Sequence, residues 1–492
     1  MHPGVFDFFG KWLYNRLIFD FEAIFVVTQE EKYISMTQKP IGRVIGKLAL
    51  PCIASMLVTS LYNMADTFFV GMMDSNAATG AVGVVFSMMA IIQAVGFFFG
   101  QGSGNYISRE LGKRNYEEAS RMAATGFYSA IFAGVLMCVA GLIFLEPLSY
   151  LLGSTPTILP YTKQYLSVIL IGAPWMTASI VLNNQLRFQG SAMYAMVGIV
   201  SGAVLNIALD PLFIFTFHME VAGAGLATII SQFVSFIILL IGCTRGGNIK
   251  ISIRHFRLKW HYFVNIFKGG LPSMTRQSIS SVATICLNHA AGALGNDALI
   301  AAMGVVQRIV MFGASAMIGF GQGFQPFCGF NYGARLFERV KKGFWFCVKW
   351  AFVFLAGVSI IVAIFAEDLV GIFRNDPDVI RYGAFALRMQ CLSFPLHSWI
   401  VMSNMMQQVT GKTIPATFMA MARQGVFYIP LILLLPGLFG VVGIQITQAI
   451  SDTLTFLCAI PIQLYILKKY QSRKFKHFLS AFIGQSLKAV VQ

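Results

Sequence analysis

Runs of eighteen or more mostly apolar residues recur along nearly the whole chain, separated by short stretches that hold charges, glycines and prolines. About 20 residues of α-helix cross the roughly 30 Å of hydrocarbon in a bilayer, so each run reads as a membrane helix. The pattern predicts twelve: Ile45–Gly71, Ala77–Gly104, Met122–Leu145, Tyr165–Asn183, Ala192–Phe217, Gly223–Cys243, Phe263–Leu294, Ala298–Phe324, Gly343–Ala366, Gly383–Met406, Ile414–Leu435 and Val441–Leu467. The expected fold class is an all-α polytopic membrane protein.

The pattern also repeats. A shift of 221 residues lays Lys47, Leu50 and Pro51 on Lys268, Leu271 and Pro272. It lays Gly100-Gln101-Gly102, Gly112, Arg114 and Glu117 on Gly321-Gln322-Gly323, Gly333, Arg335 and Glu338. Glu146, Pro156, Tyr161, Pro174 and Gly190 fall on Glu367, Pro377, Tyr382, Pro395 and Gly411. Chance similarity aligns leucines and valines, but it does not hold prolines, glycines and loop charges at one spacing. Two homologous six-helix lobes follow. Each crosses the membrane an even number of times, so both enter from one side and a pseudo-two-fold axis runs along the membrane normal. Two such lobes rocking about a central cleft have the geometry of alternating access. The shared residues read as frame: glycines for close helix approach, prolines for kinks, Glu146 and Glu367 as matching helix-end partners.

Composition agrees, with 57% hydrophobic and 11% charged residues, where a typical soluble domain has about a quarter charged. A net charge of +16 would suggest nucleic acid in a soluble protein, so its placement decides. Lys47, Arg109, Lys113, Arg114 and Arg121 flank the first pair of spans; Arg245, Lys250, Arg254, Arg257 and Lys259 lie between spans six and seven. Arg335, Arg339, Lys341 and Lys342 follow span eight, and Lys468, Lys469, Arg473, Lys474 and Lys476 follow span twelve. All fall on one side. The opposite loops carry Asp74, Glu146, Glu220, Asp297, Glu367, Asp368, Asp376 and Asp378 with only Lys163, Arg374 and Arg381. The positive-inside rule then puts both termini in the cytoplasm, with no nucleic-acid partner.

The expected division is an N-terminal extension (1–40), a first lobe (41–243), a basic cytoplasmic linker (244–262), a second lobe (263–467) and a basic cytoplasmic tail (468–492). In the extension, Asp7, Asp20, Glu22, Glu30 and Glu31 break up Phe6, Phe9, Trp12, Phe19 and Phe25, unlike a signal peptide. Two readings stand: translation starts at Met36, or the segment is an interfacial amphipathic helix. Eight singly scattered cysteines have neither disulfide nor zinc spacing and read as small buried hydrophobes. The absence of any Asn-x-Ser/Thr acceptor accords with a prokaryotic setting.

Asymmetric polar residues inside the membrane are the candidates for chemistry. Only Asp66, Asp210 and Asp452 place carboxylates within spans, and such groups cost several kcal/mol unless paired, protonated or holding a cation. Thr59, Asn63 and Asp66 share one face of span one; Asn206 and Asp210 share a face of span five just before Pro211, which frees a carbonyl nearby. The set offers oxygens to a sodium ion, or a proton shared between two repelling carboxylates, or simply hydrogen bonds between helices. Asp452, near Gln448 and Ser451, reads as packing or as the partner of an intramembrane arginine. Arg276, Arg308, Arg388 and Arg423 read as paired or snorkelling, with Arg276 also placed to sense the cleft. His289 and His397 read as core hydrogen-bonders. The 24 methionines and 45 phenylalanines provide adaptable apolar surface and cation–π faces.

Leu48-Ala49-Leu50-Pro51, Tyr62-Asn63-Met64-Ala65-Asp66-Thr67 with Gly71, Gly100-Gln101-Gly102 leading to Leu111-Gly112-Lys113, and Asn206-x-x-x-Asp210-Pro211 together resemble the multidrug and toxic compound extrusion (MATE) exporters, over roughly Pro40 to Tyr470. The resemblance implies a V-shaped pair of lobes and export of organic cations, drugs or amphipathic compounds in exchange for H+ or Na+. Carried over by position, its cation site uses Asp66, Asn206, Asp210 and Thr228, with Asn183 and Asn63 as polar neighbours. One branch of the family has a glutamate in span seven, where this chain has Ser278, Ser280 and Ser281; coupling through the first lobe is expected. No cofactor or resident metal is expected beyond the coupling ion, which would use the same residues. The expected partners are a small-molecule substrate and the bilayer, for a monomer in a bacterial inner membrane. A lipid-linked oligosaccharide flippase of the same superfamily, with a more cationic cleft, is the alternative. An intramembrane prenyl-type transferase needs clustered acids for magnesium diphosphate, and a receptor or channel does not require the duplication.

Overall fold

In the computed structural model, which describes residues 28–72, 76–294 and 297–491, a short helix α1 (Gln29–Gln38) precedes the first lobe. That lobe comprises α2 (Ile41–Gly71), α3 (Asn76–Gly112), α4 (Tyr116–Ile143), the short α5 (Leu145–Leu151), α6 (Leu159–Phe188), α7 (Ala192–Pro211) and α8 (Glu220–Thr244). The second comprises α9 (Trp260–Ala293), α10 (Asp297–Gly333), α11 (Phe337–Ile364), the short α12 (Ala366–Phe373), α13 (Pro377–Ser393), α14 (His397–Val409), α15 (Thr413–Met421), α16 (Tyr428–Phe439) and α17 (Val441–Val491). One bent span is made by α13 and α14, joined by a 3₁₀ turn at Pro395, and another by α15 and α16, joined by a π turn over Ala422–Val426. Twelve spans in two six-helix lobes result.

Ten helices among the described residues are long and apolar enough to cross a membrane by themselves. The seventh and tenth spans miss that mark for local reasons. Lys268, Arg276, Asn288 and His289 dilute α9, and the kink at Pro395 divides the tenth span. Two spans run past their expected ends, to Gly112 and Gly333 rather than Gly104 and Phe324, because their amphipathic last turns extend the helix.

The duplication is written in the backbone. The turns after α3 and α10 place Arg114 and Arg335 in the left-handed region at φ 60° and 61°, and Gly190 and Gly411 after α6 and α14 at 82° and 74°. At the lobe junction, a Cβ on Gly102 would lie 2.3 Å from the Ile266 carbonyl, and one on Gly323 2.4 Å from Ala49 Cα. Only glycine lets α3 reach α9 and α10 reach α2. Gly112 and Gly333 play the same part where α3 crosses α10, each facing a carbonyl of the other helix, Phe330 and Arg109. These contacts lie toward the end that carries the basic loops. A core through that junction contains Ile45, Phe188, Ile266 and Phe324, whereas toward the acidic end each lobe keeps its own core, around Val85 and Ile169 or Val306 and Leu387. The lobes therefore close at the basic end. At the other end Glu146 pairs with Lys163 and Glu367 with Arg388.

A capping box of Thr28 and Glu31 starts α1. Lys32 Nζ donates to Ser191 Oγ at 2.8 Å and Asn248 Oδ1 at 2.5 Å, and Glu30 pairs with Arg114 at 2.7 Å. The buried Met36 offers its carbonyl to Asn331 Nδ2 at 3.0 Å. This part of the extension packs on protein and touches both lobes. The extension's aromatics through Phe25 lie outside the described residues, as do the tail side chains beyond Tyr470. All eight cysteines are unpaired and five are buried.

Candidate functional site

Within the first lobe α2 packs on α7, and α7 on α8. Asp66 lies near the end of α2, and Asp210 ends α7 where Pro211 interrupts the regular ladder and a π turn, Leu212–Thr216, follows. Thr228 and Ser231 come from α8. Asp66, Asn206, Asp210, Thr228 and Ser231 are all buried.

Asn206 Nδ2 donates to Asp210 Oδ1 at 3.3 Å. Among the described residues, Asp66 Oδ1, Asp210 Oδ2, Asn206 Oδ1 and Ser231 Oγ are buried with no hydrogen-bond partner, and the Thr228 hydroxyl stands beside the Tyr62 and Tyr165 phenols without a well-aligned bond. The two carboxylates stand on packed helices, α2 and α7, and are both buried there. Each unsatisfied buried acceptor costs roughly 1–3 kcal/mol. The two carboxylates and the Asn206 carbonyl give the cluster buried oxygens that suit a hard cation or an added proton.

A cavity of about 140 Å³ adjoins it, lined by Tyr62, Asn63, Met89, Asn206 and Thr228 and, toward the basic end, by Asn183, Asn184, Arg187 and Gln322. Asn63 thus stands one turn from Asp66 on the cavity wall. Thr59 is satisfied within its own helix, donating to the Ser55 carbonyl at 2.8 Å. Asn183 is placed differently. Its amide donates to Ala195 O at 3.0 Å, and Ala195 and Asp210 stand at opposite ends of α7, about 22 Å apart at 1.5 Å per residue. In the second lobe Asn404 donates to Ala416 O at 2.7 Å, the same bond displaced by one repeat, so the Asn183 amide makes a contact both lobes share while its side chain also lines the cavity.

The second lobe has Leu287 and Leu431 where the first has Asp66 and Asp210. Its own carboxylate, Asp452, is fully engaged: Arg423 Nε donates to Oδ1 at 2.8 Å, Gln448 to Oδ1 at 2.8 Å and Ser393 to Oδ2 at 3.3 Å, while His397 Nε2 lies 2.9 Å from Oδ2. His397 is a core hydrogen-bonder as expected, but His289 is exposed on α9.

Sequence reasoning missed the polar ladder across the lobe junction. Buried Arg187 donates to Gln322 Oε1 and, at 2.6 Å, to Asn184 Oδ1. Gln101 donates to the same Asn184 oxygen at 3.0 Å, Gln325 to Gln101 at 3.3 Å, and Gln408 to Ser273 at 2.7 Å. The available signal was the repeated Gly-Gln-Gly, whose glutamines Gln101 and Gln322 both enter this ladder.

Paired six-helix lobes with an acceptor cluster buried at membrane depth define a multi-pass membrane transporter rather than an enzyme. The MatE family profile matches residues 51–212 and 272–434, one match in each lobe, and the chain belongs to that family. Multidrug export protein MepA of Staphylococcus saprophyticus is 30% identical over 421 residues, covering 85% of this chain and 92% of that protein. MepA of Staphylococcus aureus MSSA476 is 27% identical over 446 residues, 89% of this chain and 97% of its own. A crystal structure of MATE in complex with MaD3S superposes with a TM-score of 0.84 at 25% identity, over 90% of this chain and 99% of that one. A MOP-superfamily transporter from Pyrococcus furiosus shares the fold, with a TM-score of 0.83 at 24% identity over 90% and 99% of the two chains.

Proposed function

We propose that this chain is a secondary active antiporter exporting organic cations, drugs and related amphipathic compounds in exchange for H+ or Na+ by alternating access. The observation that carries this reading is the set of unpartnered buried oxygens on Asp66, Asn206 and Asp210. The relatives named as multidrug export proteins support the substrate class.

An ion or proton at Asp66 and Asp210 cancels their repulsion and draws α2 toward α7, with the π turn beyond Pro211 giving α7 room to adjust. A cationic substrate in the neighbouring cavity competes for the same negative field, so ion and substrate favour different lobe arrangements. With the basic loops and both termini in the cytoplasm, the closed end faces inward and the cleft opens outward. The protein acts as a monomer in a bacterial inner membrane. The flippase reading draws on the intramembrane arginines Arg187 and Arg276; the bonds from Arg187 to Gln322 and Asn184 tie it to the junction instead.

The test is substrate efflux from proteoliposomes under separately imposed sodium and proton gradients. One gradient alone should drive efflux, and indifference to both would reject the antiport reading.

A further inference from the structure

Where the two lobes meet at their basic end, a cavity of about 480 Å³ is lined by Arg109 of α3, Lys113 just after it, Lys268 of α9 and Arg335 after α10, with Glu110 as its carboxylate. Glu110 is already taken, accepting from Lys113 at 2.6 Å and Asn115 at 3.3 Å. Neither Arg109 nor Lys268 has an ion pair among the described residues; Arg109 lies over the Tyr106 ring, 5.7 Å from its centroid. Cations outnumber acids here, and the space between them belongs to neither lobe alone.

Lys268 also lines a second cavity. This one, of about 920 Å³, is a groove between the first lobe and the start of α9, walled by Phe98, Phe132, Leu136, Trp260, Phe263 and Phe267. It is almost wholly apolar, and Trp260, 80% exposed, is the residue type that settles at headgroup level. A free anion would use the basic cavity and leave the groove unused. An acyl chain would use the groove and leave the cations unused. An anionic phospholipid would use both at once, its phosphate between Arg109 and Lys268 and a chain along the phenylalanines.

We propose that this paired cavity binds an anionic phospholipid of the leaflet that meets the basic end, bridging the two lobes and favouring the arrangement closed there. Its assignment to the inner leaflet rests on the orientation proposed above. The binding does not rest on the coupling reading, since none of its residues belongs to the Asp66 and Asp210 cluster.

The test is thermal unfolding of the purified full chain in detergent, titrated with phosphatidylglycerol, phosphatidylcholine or inorganic phosphate. Phosphatidylglycerol should raise the unfolding temperature saturably while the other two do not. Lys268→Gln changes an exposed side chain and should leave lipid-free stability unchanged, while weakening the apparent phosphatidylglycerol affinity about fivefold, the effect of one cation near a lipid surface. Arg109→Gln should do the same, and the double variant should lose the saturable shift. An equal shift with phosphatidylcholine would reduce the site to a greasy groove, an equal shift with inorganic phosphate would make it a free-anion site, and an undiminished shift in both single variants would remove it; each outcome overturns the proposal.

Discussion

Arg423 Nε donates to Asp452 Oδ1 at 2.8 Å, and among the described residues no such donor reaches Asp210 Oδ2. Two buried carboxylates in one chain thus meet opposite surroundings. Breaking a buried ion pair leaves the other charge stranded at about 3–5 kcal/mol, so Asp452→Asn should lower stability by roughly 3 kcal/mol. Asp66→Asn and Asp210→Asn should leave stability unchanged or raise it, because each removes a repelling charge. Unfolding temperatures of the three variants check this, and a larger loss for Asp210→Asn than for Asp452→Asn would contradict it.

The frame was legible in the sequence because duplication preserves what backbone geometry demands. Glycines that permit lobe contact and the turn pairs Arg114/Arg335 and Gly190/Gly411 kept their spacing, and one offset found them. The asymmetric carboxylates stood out because an acid within an apolar run is costly. Asn183 has two sides that its residue type does not separate: its bond to Ala195 is copied by Asn404 on Ala416, and its side chain also lines the cavity. The junction ladder was hidden because glutamines and a span-end arginine, taken singly, carry no signal until two lobes bring them together.

Lys32 makes the role of α1 measurable. Burial pushes its amine down from 10.5 to about 7, with Cys243 the titratable neighbour opposing that shift. Between those values the unfolded chain holds the proton and the folded chain releases it, so stability should rise with pH through that window. Below about 7 the burial penalty is fully present. Lys32→Met should therefore be at least as stable as the parent at pH 6 and lose ground as pH rises toward 10. Parallel stability curves for the two proteins would rule this out.

The glycine contacts predict a second effect. Gly333→Val places methyl groups where a Cβ already lies 2.1 Å from the Arg109 carbonyl, and closure at the basic end should be impaired. Cysteines at Lys113 and Lys341 report on that end's sidedness. They should resist an impermeant thiol reagent added outside intact cells, and labelling from outside would reverse the orientation.

The central claim is that Asp66 and Asp210 form one coupling site, and ion-driven efflux by the Asp66→Asn, Asp210→Asn double variant tests it most directly. In proteoliposomes, at the parent's level of folded protein, the variant should lose at least about 90% of gradient-driven transport, equivalent to about 1.4 kcal/mol or more of coupling at the site. Full ion-driven efflux by that variant would contradict the account and return both carboxylates to helix packing.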